Sequence, residues 1–574
     1  RQGAMFAYEC LTASLRVLFE PYILGILPHL LACFGDPKED VREATQDAAR
    51  VIMQSISGHC VKLILPTLLA GLEDKQWRSK KGAIELLGAM AYCAPRQLSV
   101  SLPKVIPPLS EVLSDSHTQV KSAANKSLKQ FGEVINNPEI KKLTNKLLQA
   151  LINPNDNIGK ALTALLNTSF VHYIDSASLA LVVPIVERGL KERGASLQRD
   201  AARIVGNLAG LTDSKDFVPY LRGVVPLVRV VLVSPVPEAR SVAAKALGTL
   251  VERLGEVHFV DLVPSLLQVL RSDATGVDRQ GSAQGLAEIL AGLGAERMEA
   301  LLPEIINNAS NARAYVRAGY ISLLIYLPAT FGHRFAPHLG RIIPPILGGI
   351  ADPTESVREA SMRAGRMIIA NYSSKAVDLL LPELERGMFD EEWRIRMSSI
   401  QLVADLLFRL SGISGKNEMG EEGEDEEDGA ANEAVAGGTS SVQRALAEVL
   451  GEERRDRVLS ALYIVRQDPN IPVRQAAIHT WKALVLNTPR TAREILPTML
   501  DILIRILAAP GAEQREIAGR TLAELVRKLG ERILRDTIPI LRNRGVTGED
   551  PQTRAGVCFA VTEVLQGATK SEFS

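Results

Sequence analysis

Apolar residues recur along the chain at the spacing of one helix face. In the first clear example, Ile23, Ile26, Leu27, Leu30 and Leu31 follow the positions i, i+3, i+4, i+7 and i+8. This spacing predicts a helix that buries one face and leaves the other in solvent. The strict alternation that is typical of half-buried strands is missing from this segment.

A turn and a second helix follow the first one. Gly35, Asp36 and Pro37 predict the end of the first helix, because glycine accepts left-handed backbone angles and proline cannot continue a helix. The second apolar face is formed by Val41, Ala44, Ala48, Val51 and Ile52. One such pair cannot bury its face alone, so neighbouring pairs are expected to stack into a continuous core. Pro28, inside the first helix, is expected to bend it.

The helical pair repeats with a period near 40 residues. One recurring position holds a proline, at Pro28, Pro66, Pro107, Pro184, Pro226, Pro264, Pro303, Pro344, Pro382, Pro497 and Pro539. A second recurring position is basic, at Arg42, Arg78, Lys121, Lys160, Arg199, Arg240, Arg279, Arg317, Arg358, Arg396, Arg474, Arg515 and Arg554. A period of this length with two helices indicates the HEAT/armadillo class. We therefore predict an all-α fold, an α-solenoid of about thirteen HEAT repeats wound as a right-handed superhelix, and a fragment of a longer solenoid.

Some of the basic positions follow an aspartate by six residues. These pairs are Asp36 with Arg42, Asp352 with Arg358, and Asp468 with Arg474. A cation in the first turn of a helix opposes the helix dipole, so we expect a neighbouring anion to compensate it. The spacing predicts a structural Asp–Arg ladder between repeats, with direct ligand contact as the alternative.

The total charge of the chain conceals a basic region. Lys+Arg and Asp+Glu are both 66, which argues against a dedicated nucleic-acid binder. Residues 75–146, however, contain twelve basic and five acidic residues, a local charge of +7. The candidate phosphate-contacting residues are Lys75, Arg78, Lys80, Lys81, Lys121, Lys126, Lys129, Lys141, Lys142 and Lys146. Such clusters attract phosphate backbones, although a solvated surface has the same composition.

An acidic segment divides the repeats. Residues 412–440 contain nine acidic residues and Lys416, and they show no apolar periodicity. We expect a disordered loop there, between a HEAT array at 1–411 and continuing repeats at 441–574. Its role is open between a charged spacer, a docking site for a basic partner and a shield for a basic groove.

The sequence contains no recognisable catalytic motif. A phosphate loop, a nucleophile elbow and the zinc-protease motif are all missing. The five cysteines form no C-x-x-C pair, which favours a reducing compartment. No uncharged apolar stretch reaches the roughly 18 residues of a membrane span. We therefore predict a non-enzymatic binding or scaffold protein without cofactor or metal.

Several segments resemble known translation proteins. Residues 170–211 resemble the HEAT domain of fungal translation elongation factor 3. Residues 61–95, 278–294, 390–408 and 487–500 are similar to the middle region of the general-control translational activators. These activators are very large HEAT-repeat proteins that stimulate the kinase of initiation factor 2 alpha during amino-acid starvation.

The resemblance implies a function and a set of partners. It implies a cytoplasmic, ribosome-associated scaffold that binds translating, stalled or collided ribosomes through rRNA and ribosomal proteins, and that engages an ABC-type ATPase. It also implies that the kinase is bound by a segment C-terminal to this chain. The ATPase activity of elongation factor 3 does not carry over, because no phosphate loop is present. The basic candidates in 75–146 would then contact the ribosome.

Two other functions compete with this one. The first is a transport receptor of the importin-β kind, since some of those HEAT solenoids carry an acidic loop. They usually present an acidic inner surface to basic cargo, which the basic region at 75–146 argues against. The second is an enzyme with its catalytic group hidden in a groove, which the missing motifs disfavour.

Overall fold

The computed structural model describes residues 1–412, 436–507, 509 and 511–529, and a few positions between 539 and 562. Most of the predicted acidic loop at 412–440 lies outside the described residues. Residues 436–440, which the sequence assigned to that loop, instead begin a helix. The predicted continuation of the repeats to residue 574 is described only as far as residue 529, apart from those few positions. The proposed division at 411 and 441 stays a prediction.

The chain forms two compact units, the first made of residues 1–269 and 274–298. The helices that begin in this unit are α1 Gln2–Leu15, α2 Glu20–Phe34, α3 Glu39–Ser55, α4 Gly58–Gly71, α5 Trp77–Cys93, α6 Pro95–Val112, α7 Thr118–Glu133, α8 Pro138–Ile152, α9 Pro154–Leu166, α10 Ser176–Lys191, α11 Ala195–Leu211, α12 Ser214–Phe217, α13 Leu221–Leu232, α14 Pro237–Leu254, α15 Leu262–Arg271, α16 Gly276–Leu293 and α17 Ala295–Ala309. Short 3-10 turns precede α2, α13 and α15.

The second unit comprises residues 270–273 and the described part of 299–574. Its helices are α18 Ala314–Phe331, α19 Leu339–Ile350, α20 Glu355–Asn371, α21 Ser373–Leu379, α22 Leu381–Gly387, α23 Trp393–Ser411, α24 Ala436–Leu450, α25 Glu452–Val465, α26 Ile471–Leu484, α27 Thr488–Glu494, α28 Leu496–Leu507 and α29 Ala512–Leu529. Among the described residues of both units there is no β-strand, only one isolated bridge between Ile174 and Thr212. The all-α prediction is confirmed.

Each unit is built from helical pairs whose second helices lie side by side. In the first unit α1 packs on α3, α5 on α7, and α14 on both α11 and α16; in the second, α18 packs on α20. Small residues make this close approach possible: Ala44 and Ala48 of α3 are buried against Met5 of α1. At Gly248 of α14 an added Cβ would lie 2.7 Å from the carbonyl oxygen of Glu288 on α16. The α-solenoid of HEAT-type pairs is therefore confirmed.

The recurring prolines occupy two different places in their helices. Pro28 and Pro66 lie inside α2 and α4, as the sequence predicted. In two repeats the first helix is split into two shorter helices, α21 with α22 and α27 with α28. Pro382 and Pro497 are the second residues of α22 and α28. A proline costs no hydrogen bond at a helix start, because the first N–H groups have no intrahelical acceptor. These repeats thus replace the expected bend with an interruption.

One helical run has the length and composition of a membrane span. The run Gln2–Phe34 has a mean hydropathy of 1.7 in its most apolar window, of which 39% is buried within the fold. A 3-10 turn at Arg16–Phe19 interrupts it. Ile23, Leu27 and Leu30 are at most 4% exposed because they face the core. Core helices of soluble proteins pass the same test, so this run is weak evidence for a membrane segment.

Candidate functional site

In several repeats an arginine of the second helix closes the turn that precedes this helix. Arg42 donates from Nη1 to the backbone carbonyl oxygens of Asp36, at 2.9 Å, and Pro37, at 3.0 Å. Arg358 makes the equivalent two bonds in its own turn, at 2.7 and 2.8 Å. These carbonyls lie just beyond the C-terminal end of the first helix, where partial negative charge favours a cation. The negative end of the first helix therefore offsets the unfavourable interaction between the cation and the dipole of the second helix.

The aspartate that opens the turn has two partners. One carboxylate oxygen accepts the backbone N–H two residues later, at 2.9 Å for Asp36 and 2.8 Å for Asp352. The other partner is the cation of the preceding repeat's second helix, and four such inter-repeat ion pairs occur among the described residues: Arg1–Asp36 at 2.6 Å, Lys80–Asp115 at 2.8 Å, Arg317–Asp352 at 2.6 Å and Arg396–Asp468 at 2.8 Å.

This pairing differs from the one that the sequence predicted. The three predicted arginines, Arg42, Arg358 and Arg474, bind the backbone carbonyl of the aspartate six residues earlier, at 2.9, 2.7 and 3.1 Å respectively. The carboxylate of that aspartate faces the preceding repeat, because its own arginine is already bound to the turn. Ion pairs therefore do link neighbouring repeats. Each of these pairs, called a rung below, joins the cation of one repeat to the aspartate of the next repeat and not to the aspartate of its own turn.

One member of the predicted basic series also changes. The sequence placed Arg78 in the series, but Lys80 is the residue that forms the rung with Asp115. Asp74 stands six residues before Lys80, and its carboxylate accepts the backbone N–H of Gln76 at 2.7 Å. The spacing from aspartate to cation therefore identifies the position better than the 40-residue period does.

Three of the rungs hold the pKa of their carboxyl group below its ordinary value, at Asp36, Asp115 and Asp352. The hydrogen bond from Arg1, followed by that from the Lys38 N–H, lowers the pKa of Asp36. At Asp352 burial raises the pKa, but the Arg317 guanidinium and the Thr354 N–H outweigh it, and the pKa is below its ordinary value. Both aspartates are thus charged at neutral pH.

The rung at Asp352 should make stability depend on acid pH. Because its folded pKa is below the unfolded value of about 3.9, the stabilisation is complete above that value and is lost as the pH falls through the folded pKa. We expect Asp352→Asn to reduce the local unfolding free energy by about 2 kcal/mol at pH 7, and the difference from wild type to shrink as the pH falls below about 3.9. Hydrogen exchange of the amides of α18 and α20, corrected for the intrinsic exchange rate at each pH, measures it. A difference that stays constant with pH would contradict the assignment.

The basic candidates divide into engaged and exposed residues. Lys80 is held by Asp115 and its side chain is only 20% exposed, whereas Lys81 lies 3.7 Å from Glu85 on the same helix. Lys121 is half-buried. The other seven are exposed and form no ion pair with any residue that the structure describes: Lys75, Arg78, Lys126, Lys129, Lys141, Lys142 and Lys146.

An aromatic stack stands at the start of α5. The Trp77 ring stacks on His117 with centroids 3.9 Å apart and an angle of 12° between the planes. The Arg78 guanidinium lies 4.5 Å from the Trp77 centroid, within the range of a cation–π interaction. Arg78 therefore keeps its charge exposed while its position is fixed by the ring.

Two of the exposed lysines border separate grooves of the first unit. Lys126 borders a groove of about 510 Å³ formed by α3, α5 and α7, together with Arg50 and Tyr92. Lys146 borders another, of about 780 Å³, formed by α8, α9 and α11, together with Lys160. Sequence reasoning omitted Arg50 and Lys160 from the candidates, because grooves between helices cannot be read from local charge.

No group of three or more His, Cys, Asp or Glu side chains is placed for metal binding in the part of the chain that the structure describes. Paired helices of about 40 residues, closed by cation-bound turns, define a HEAT-repeat protein of the α-solenoid class.

Family models give this class a narrower identity. The model described as "EF3 N-terminal HEAT repeat" matches residues 1–128 and 279–410. The model described as "Elongation factor 3/GNC1 HEAT repeat" matches residues 157–261. The predicted resemblance to the HEAT domain of elongation factor 3 is thereby confirmed.

Curated relatives match nearly the whole chain. It is 50% identical over 572 residues to the human "Stalled ribosome sensor GCN1" and 46% identical over 574 residues to the Saccharomyces cerevisiae "eIF-2-alpha kinase activator GCN1". These alignments cover 99% and 100% of the chain but only 21% of each relative. "Elongation factor 3" of Gonapodya prolifera is 34% identical over 229 residues, which cover 39% of the chain and 21% of that protein. The chain belongs to the general-control translational activator family and spans about a fifth of the length of these relatives.

Among solved structures, the karyopherin Kap121p aligns with 96% of the chain, covering 64% of its own, at 13% identity and a TM-score of 0.26. A score this low bears on neither fold nor function. It therefore gives no support to the alternative function as an importin-β-like transport receptor.

Proposed function

We propose that this chain is a non-catalytic, ribosome-binding segment of a general-control translational activator in the cytoplasm. The observation that carries the proposal is the 46–50% identity over essentially the entire chain to relatives named as a stalled ribosome sensor and as an initiation factor 2 alpha kinase activator. In this reading the chain helps to position the activator on translating or stalled ribosomes.

The exposed basic residues provide a physical basis for ribosome contact. Lys126 and Lys129 on α7, and Lys141, Lys142 and Lys146 on α8, are exposed and form no ion pair with a described residue. Each phosphate that such a cation neutralises releases counter-ions, so the contact strengthens steeply as the salt concentration falls. Several weak contacts on one rigid array add through effective concentration.

The remaining partners follow from the same family membership. We propose that an ABC-type ATPase acts together with this elongation-factor-3-like segment on the ribosome. We also propose that the kinase is bound by a segment of the activator C-terminal to this chain. The chain would then support kinase activation by positioning the activator on the ribosome, without contacting the kinase itself.

Co-sedimentation with purified ribosomes tests ribosome binding directly. The intact chain is expected to pellet with ribosomes at about 50 mM salt and to be released at a few hundred millimolar, because phosphate contacts dominate the affinity. Cross-linking with identification of both linked residues should place links in α7 and α8. A chain that stays in the supernatant at low salt, with its helical content intact, would refute the proposal.

A further inference from the structure

A loop beside α8 presents exposed apolar side chains to solvent. Residues 167–175 connect α9 to α10. Within this loop the side chains of Val171 and Tyr173 are 83% and 76% exposed. Single exposed apolar residues are common on protein surfaces, but these two flank one residue, His172, on the same short loop. Together they form an apolar projection whose surroundings show what it can bind.

The backbone around Tyr173 is held in place by three contacts. The buried Asn137, which caps the start of α8, donates from Nδ2 to the carbonyl oxygen of Tyr173 at 3.0 Å. Ile174 is 1% exposed and donates its N–H to the last carbonyl oxygen of α11 at 2.8 Å. His172 Nδ1 lies 2.8 Å from Glu139 Oε1. Because the backbone is already ordered, a ligand of the Tyr173 ring meets a smaller entropic cost on binding.

The loop runs beside a basic face of α8. Glu139, near the start of α8, contacts the loop at His172, and Lys146, further along the helix, borders the same groove as Asn167 at the start of the loop. Positions 139, 142 and 146 share one helix face because their spacing is i, i+3 and i+7. Lys142 therefore lies between these two contacts, and both lysines are exposed. The α8–loop surface is the name used below for Lys142, Lys146, Val171 and Tyr173.

The composition of the α8–loop surface favours an unpaired nucleic-acid strand. Its lysines attract phosphates, and the exposed ring of Tyr173 offers a stacking face to a base. The adjoining groove is lined mainly by polar and charged side chains, including Lys160 and Asn155. An amphipathic peptide helix would need an apolar groove, and a regular RNA duplex offers no unstacked base. Trp77 does not provide such a ring as freely, because it is already stacked on His117.

We propose that the α8–loop surface binds an unpaired strand of RNA, with one base stacked on Tyr173 and neighbouring phosphates at Lys142 and Lys146. The inference rests on the proposed function, which makes ribosomal RNA the source of the strand. Since α8 begins at Asn137 beside Tyr173, the two lysines lie about 7 and 13 Å further along the helix axis. This span suits about four nucleotides, the lower end of the range for single-strand sites. Val171 adds apolar contact area.

Fluorescence anisotropy of the intact chain with a labelled oligouridylate of about twelve nucleotides tests the proposal. Tyr173→Ala and Tyr173→Leu should each weaken binding by about fivefold to a hundredfold, the contribution of one base–aromatic stack, and Tyr173→Phe should retain it. Lys142→Ala combined with Lys146→Ala should flatten the slope of log affinity against log salt by about 1.4. Tyr22→Ala is the matched control and should have no effect, because Tyr22 is 64% exposed but lies on α2.

The leucine and phenylalanine variants distinguish stacking from a merely apolar or structural role. Loss of binding in Tyr173→Leu with retention in Tyr173→Phe supports a stacked base, and binding to an RNA duplex of the same length should not depend on Tyr173. Unchanged binding of the oligouridylate in Tyr173→Ala, an equal loss for the duplex, or no binding by the folded chain overturns the proposal. Tighter binding of an acidic, leucine-containing peptide with the same dependence on Tyr173 also overturns it, because the surface would then belong to a protein partner.

Ribosome co-sedimentation separates this inference from the proposed function. If the intact chain pellets with ribosomes and Tyr173→Ala pellets equally at every salt concentration, the inference fails and the proposed function stands. If the wild-type chain does not pellet, the proposed function fails, whereas Tyr173-dependent binding of the oligouridylate would still demonstrate a surface for unpaired RNA.

Discussion

Replacing Arg396 with alanine is expected to destabilise its part of the second unit by about 3–5 kcal/mol, the cost of leaving a buried charge unpaired. The side chains of Arg396 and Asp468 are both fully buried and lie 2.8 Å apart. Arg396 also reaches Glu513, at 2.7 Å, and the carbonyl oxygens of Asp390 and Glu391. Its removal therefore leaves Asp468 without a counter-charge and opens the turn before α23.

Hydrogen exchange is the appropriate measurement, because long repeat arrays do not unfold as one cooperative unit. Amides of α23 and α26 should lose protection in Arg396→Ala, whereas those of α5 and α7 should not. Arg366→Ala is the matched control: its pair with Asp405, at 2.9 Å, is exposed and should contribute less than about 1 kcal/mol. Equal loss of protection in the two variants would contradict the importance of the buried rung.

Reversing the charge of four exposed lysines should weaken ribosome binding at least about a hundredfold at 0.1 M salt. The four substitutions are Lys126→Glu, Lys129→Glu, Lys142→Glu and Lys146→Glu. If each lysine neutralises one phosphate, the slope of log affinity against log salt should flatten by about 3. Because these side chains form no ion pair with described residues, the fold should be unaffected.

The control carries the same change in charge elsewhere on the chain. Lys38, Lys191, Lys375 and Lys482 are all exposed and lie outside residues 75–146. Their reversal should reduce binding only slightly. Equal losses in both variants would show that total charge, not the placement of the lysines, decides the affinity, and the basic candidates would then be a solvated surface.

Local patterns predicted the repeating fold well because each helical pair is encoded within about 40 residues. The apolar face from Ile23 to Leu31 corresponds to α2, which ends before Gly35 as predicted, although Gly35 has a φ of −87° and not the left-handed angle that the sequence predicted. The interruptions at Pro382 and Pro497 were missed, because proline is tolerated both inside these helices and at their starts. The start of α24 at Ala436 was also missed, since its Ala-Gly-Gly run predicts a loop.

The candidate site was predicted less well because its contacts cross repeats. Lys80 looks like any other lysine of the basic region, yet Asp115 holds it from 35 residues away. Arg396 and Asp468 are 72 residues apart, with the acidic segment between them. Such pairs depend on how neighbouring second helices are aligned. The spacing of six residues from aspartate to cation was the available signal, and it identifies the members but not their partners.

The inter-repeat rungs are not present at every step of the array. Rungs join α1 to α3 and α5 to α7, but no ion pair forms between Arg42 of α3 and Asp74 before α5, although both are described. In the second unit, rungs tie α18 to α20 and α23 to α26, whereas α20 is joined to α23 by the exposed pair of Arg366 with Asp405 and not by Arg358 and Asp390. A rung to a buried aspartate resists separation of its two helices more than an exposed pair does, because water screens the exposed charges. Under tension, the α3–α5 and α20–α23 joints are therefore expected to open before the joints that a rung holds.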